Sequence, residues 1–184
     1  ILLKLIIVFY IIMSSITNLR LASHIHTKIK SQIIDAFNNN SIFIPRIGHM
    51  PFLHLTLKNL RDYIEHHIST EINELVNNNI ILPQKNDGIA FPIGINADNV
   101  VAHFTPIKTN KISTIPALTS NSLISIFNSL KIDYGVHIDG SIIDAAFTLN
   151  IAKLTKCVTN IDLVDTLIRS SHEAKDTIIK NIGV

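Results

Sequence analysis

His67 and Glu71 stand four residues apart in a stretch of helical periodicity, a spacing that sets both side chains on one side of a helix. Two donors so placed can begin a metal site, and the chain has nine histidines. Zinc chemistry needs three or four converging ligands. The sequence has neither an H-E-x-x-H pattern nor a pair of cysteines, so no metal is expected, and solvated side chains or an i,i+4 contact account for the two residues. Asp139-Gly140-Ser141 has the residue types of an aspartic-protease loop in the wrong order, because that loop needs Asp, then Thr or Ser, then Gly. No G-x-S-x-G elbow, phosphate-binding loop or dinucleotide fingerprint occurs. Ser, His and Asp are all common, so their presence selects no triad. Cys157 is the only cysteine, which excludes an internal disulfide and reads as a buried, inert thiol. These residues predict no enzyme and no cofactor.

The elements are more legible than the chemistry. In Leu130–Leu149 the apolar residues fall on even positions up to Val136 and on odd ones from Ile143, switching at Asp139-Gly140, a two-residue hairpin turn. Ile138 opposite Ser141 then pairs Val136 with Ile143, Tyr134 with Ala145, Ile132 with Phe147 and Leu130 with Leu149 on one face. Lys131, Asp133, Asp144, Thr148 and Asn150 take the other, and His137 there is expected to meet solvent. A second hairpin is predicted over Ile89–Ile107, turning at Asn96–Asn99 and pairing Ile95 with Val100, Ile93 with Ala102 and Phe91 with Phe104.

Three amphipathic helices accompany them. His24–Asn38 carries Ile25, Ile29, Ile33 and Phe37, with Ser23 as its cap. Thr56 caps the longest helix, whose stripe is Leu57, Leu60, Ile64, Ile68, Ile72, Leu75 and Val76, and which ends near Asn77–Asn79. Asn160–Ile182 has Leu163, Val164, Leu167, Ile168, Ala174, Ile178 and Ile182 on its apolar side. Thr109–Asn121 reads as a loop, and Asn121–Leu130 as a short helix.

Apolar residues make up 47% of the chain and charged ones 16%, with a net charge of +2. That balance supports a real core and gives no basic patch for nucleic acid. The run Leu5–Met13, too short to span a bilayer and preceded by Lys4, reads as the apolar part of a secretory signal. The expected organisation is a signal over 1–22 and one α+β domain over 23–184. Secretion would make Asn39, in Asn39-Asn40-Ser41, a glycosylation site.

Leu60-Arg61-Asp62-Tyr63-Ile64, Ile72-Asn73-Glu74-Leu75 and Ile80-Ile81-Leu82-Pro83, followed by an alternating strand, resemble the closing segment of the bactericidal permeability-increasing, lipopolysaccharide-binding and lipid-transfer family. The resemblance implies amphipathic helices packed on a curved antiparallel sheet built from hairpins, secretion, and lipid or another apolar small molecule as partner, with peripheral membrane contact. Ile64, Ile68 and Ile72 would then face Phe91, Ile93, Phe104, Ile132 and Phe147 across the ligand. The alternative expectation is a secreted protein-interaction module with a filled core.

Overall fold

The computed structural model describes residues 2–45, 47–82, 87–107, 118–156 and 161–182, with side chains described from Ser15 onward. Helix α1 spans Leu2–Asn38. No Gly or Pro interrupts that stretch, so the helix runs through Ser23, which is interior and not a cap. Its inward face is Ala22, Ile25, Ile29, Ile33, Ala36 and Phe37. Of the expected signal over 1–22, the described residues 2–22 form the first part of this helix, and the apolar run lies outside the described side chains. Among the described residues no helix is long and apolar enough to cross a membrane.

A two-stranded ribbon follows, β1 (Ile42–Ile44) with β2 (Gly48–Met50). Helix α2 (Leu57–Asn77) begins at Thr56 as expected, where the Thr56 side chain accepts from the Asn59 amide and the Asn59 side chain accepts from the Thr56 amide. Leu57, Leu60, Tyr63, Ile64, Ile68 and Ile72 are its buried residues.

The main sheet contains β3 (Gly88–Ile89), β4 (Gly94–Ala97), β5 (Ser129–Ile138) and β6 (Ser141–Asn150), all antiparallel. The β5–β6 hairpin has the register read from the sequence, with Val136 opposite Ile143 and Ile132 opposite Phe147. Its turn residues Asp139 and Gly140 lie at φ 48° and 74°, as a type I′ turn requires. Because β6 pairs β5 along its whole length, β3 and β4 lie end to end on the other edge of β5.

The expected first hairpin does not form. A turn does close at 97–100, where the Val100 amide donates to the Ala97 carbonyl. The returning arm makes one ladder-like bond, Ile95 N–H to the Phe104 carbonyl at 2.8 Å, and the Asn96 side chain accepts from the Phe104 amide at 2.9 Å. Strand β4 instead takes β5, placing Ile95 opposite Ile132. The longer strand, already held by β6, offers a continuous apolar face that residues 100–104 lack.

Asn121–Leu130 contains only a 3-10 turn, Ile124–Ile126, before β5 begins. The expected loop over Thr109–Asn121 lies mostly outside the described residues, as does Cys157. Short α3 (Ile151–Thr155) leads to α4 (Ile161–Asn181), which buries none of its residues. Leu163, Leu167 and Ile178 on its apolar side stay about 60% exposed, against the expectation that this helix joins the core. The core lies between α1, α2 and the apolar face of the sheet.

Candidate functional site

The β5–β6 register decides what the polar face of the hairpin can do. Asp133 stands opposite Ala146, and Asp144 opposite Gly135. The two aspartates are therefore diagonal neighbours on the face turned away from the core. Their side chains are within hydrogen-bonding reach of each other. Burial pushes the Asp133 carboxyl up from its ordinary value, and the charge of Asp144 and the hydrogen bond to it push the same way. The nearby imidazoles of His103 and His26 oppose this more weakly. Two carboxyls so placed hold one proton between them or a cation.

The surroundings narrow this face. Gly135 carries no side chain, and the Phe91 ring occupies that space: a Cβ added there would lie 2.5 Å from Phe91 Cε1 and 3.0 Å from Ala90 Cβ. Segment 98–107 also reaches this site, where its His103 acts on Asp133. Asn96 holds it at Phe104, and Arg61 holds it at the Pro106 carbonyl, 2.9 Å away. Asp98 ties its start to β5, its carboxylate accepting from the amides of Asn128 and Ser129 and its carbonyl accepting from Lys131 Nζ at 2.7 Å. Within this segment His103 has φ 68°, a left-handed backbone uncommon for a non-glycine residue. A groove of about 480 Å³ opens beside Asp133, lined by Val101, Ala146 and Thr148 and, from α4, by Ile168 and His172.

The residues singled out from the sequence lie elsewhere. Ile64, Ile68, Ile93 and Ile132 are fully buried, and Ile72 and Phe147 nearly so. Phe104 packs at the core margin, while Phe91 sits across the sheet from Ile132, on the carboxylate side. The eight do not line one space. Asn39 is exposed at the end of α1. Glu71 pairs with Lys28 of α1 at 2.6 Å, and His67 packs on the Tyr63 ring, so the two form no metal site. His137 is half-buried with an unpaired Nδ1 rather than solvated. Among the described residues no three acidic, histidine or cysteine side chains are close enough to share an ion. The aspartate pair was visible in the sequence only as two polar positions. The register that placed them on one face also made them neighbours, and that was the signal available.

The chain is similar to methionine aminopeptidase 2 of Debaryomyces hansenii, 32% identical over 120 residues, covering 62% of this chain and 24% of that protein. Its similarity to methionine aminopeptidase 2 of Clavispora lusitaniae is 33% over 119 residues, with 62% and 23% covered. To methionine aminopeptidase 2A of Arabidopsis thaliana it is 36% over 97 residues, with 53% and 18% covered. The chain thus spans about a quarter or less of the length of these relatives. No family model matches it. These similarities overturn the resemblance to the lipid-transfer family. Lipid as partner, membrane contact, secretion as a family trait, the interaction-module alternative and the expectation of no enzyme are corrected with it. The α+β class stands. The error had a physical origin: apolar stripes on helices and strands identify a core, and a core of this composition is common to many families.

Proposed function

We propose that this chain carries part of the centre of an aminopeptidase acting on peptides with an N-terminal methionine, in which Asp133 and Asp144 hold a divalent cation. The observation that carries the proposal is the carboxyl pair itself. Two hard oxygen donors meet on the polar face of the hairpin, one of them held up from its ordinary pKa until a positive charge relieves it. The named relatives are aminopeptidases, which supports the reading. A bound cation would polarise the scissile carbonyl and supply hydroxide at neutral pH. This chain's own contribution is to bring the two carboxylates together beside the Phe91 ring, while Val101 and Ile168 give apolar contacts within a groove that also carries Lys131 and Lys175. The described residues supply only two carboxylates, so further ligands must complete the centre.

The test is calorimetry with Mn²⁺ on the full chain, alongside release of free methionine from a short methionine-led peptide. Binding should weaken at least about tenfold in Asp144→Asn, and the same peptide acetylated at its amino terminus should not be cleaved. Mn²⁺ binding that ignores Asp144→Asn would overturn the proposal.

A further inference from the structure

Behind the carboxyl pair, on the opposite side of the sheet, one imidazole joins both strands. His26 of α1 is 4% exposed. Its Nε2–H donates to the Tyr134 carbonyl at 3.1 Å and to the Ala145 carbonyl at 3.2 Å. Tyr134 and Ala145 are cross-strand partners, and each directly follows one of the two aspartates. The contact is reciprocated: the Tyr134 hydroxyl donates to the His26 carbonyl at 2.9 Å, and the two rings stack with centroids 4.2 Å apart and planes 18° apart. Carbonyls only accept, so Nε2 must carry the proton. Strand β6 has no strand on its far side among the described residues, so its only ladder is the one with β5. Lys30, one turn on, lies over the Phe147 ring and reinforces the same junction.

We infer that His26 is a positioning residue for the Asp133–Asp144 pair, locking the relative register of the two strands from behind so that the carboxylates converge in front. The function it serves rests on the aminopeptidase reading; the lock itself does not. Partners that orient an ion's ligands commonly change affinity by about 10-fold to 100-fold, and the bridge to the carbonyls that follow the two aspartates lets His26 act in that way.

Two variants separate positioning from simple packing. His26→Phe keeps a ring against Tyr134 and removes the donor. His26→Gln gives up the ring and keeps a donor. Mn²⁺ affinity should fall about tenfold or more in the Phe variant and return to within about threefold of the parent in the Gln variant. A folded Phe variant that binds like the parent, or a folded Gln variant no better than the Phe variant, overturns the inference. If the parent itself binds no Mn²⁺, the aminopeptidase reading fails. The lock is then decided by amide hydrogen exchange, which should quicken about tenfold around Asp133–Gly135 and Asp144–Ala146 in the Phe variant and be unchanged if His26 does not hold the strands. Should neither variant fold, the ring nitrogen shifts of the unmodified chain decide it, since an Nδ1–H tautomer at His26 would exclude the bridge.

Discussion

Asp133 is the residue at which fold and site oppose each other. Its carboxyl is pushed up by burial and by Asp144, so folding favours its protonated form. The folded chain therefore holds a proton there in a pH range where the unfolded chain has released it, and stability falls as pH rises from the unfolded value of about 4 through the raised one. Asp133→Asn removes that penalty. Its melting temperature should exceed the parent's at pH 7, with the gap closing below about pH 4, as thermal melts across pH would record. Equal melting at pH 7 would mean that the pair is relieved some other way. Gly135 is the second constrained position. Gly135→Ala drives a methyl into the Phe91 ring and the Ala90 side chain, and should cost about 1–3 kcal/mol in urea unfolding. At the turn, Gly140→Val forces a β-branched residue into φ 74° and should destabilise by about 1–2 kcal/mol. Asp139→Asn, at φ 48°, should be neutral or mildly stabilising.

The two long helices past residue 50 give opposite expectations from similar patterns. Helix α2 buries Ile64 and Ile68 completely, against strand β3 and the core, and α1 is tied to it by Lys28 and Glu71. Ile68→Asp should cost about 3 kcal/mol or more, the range of an unpaired buried charge, as the midpoint of urea unfolding would show. Helix α4 touches the rest mainly at its start, where the Asn150 side-chain Nδ2 donates to the Ile161 carbonyl and to the Asp165 carboxylate, and Lys153 pairs with Asp165 at 2.9 Å. Leu167→Lys, on a side chain 61% exposed, should shift stability by no more than about 0.5 kcal/mol. A large loss there would mean that the helix packs against something in solution.

At the scale of the molecule, a sheet and its helices divide the labour by face. One face of β5–β6 is closed by α1, with α2 packed against α1 and β3, and makes the core; the other holds Asp133, Asp144 and Gly135, with a groove beside Asp133. Helix α1 serves both, because its apolar stripe fills the core while His26 reaches the carbonyls of the site-bearing strands. Stability and site geometry are thus coupled through one helix, and damage to its inner face should weaken both.

Local rules were enough for α2 and for the β5–β6 hairpin. Thr56, the Ile64/Ile68/Ile72 spacing, the parity switch and Asp139-Gly140 each act within a few residues, so their outcome is written in the chain. The same rules proposed a hairpin over 89–107 and a buried final helix. They could not see that β5 would outcompete residues 100–104 for β4, or that α4 would meet little apolar surface. Nor could they weigh Asp133 and Asp144. Each alone is an ordinary polar position on a strand, and their surroundings depend on the Phe91 ring seated at Gly135 and on segment 98–107, held by Asn96 and Arg61, which brings His103 near Asp133. Periodicity reports which side of an element avoids water. Which elements meet, and which polar groups are thereby forced together, is a matter of long-range competition that only the tertiary structure resolves.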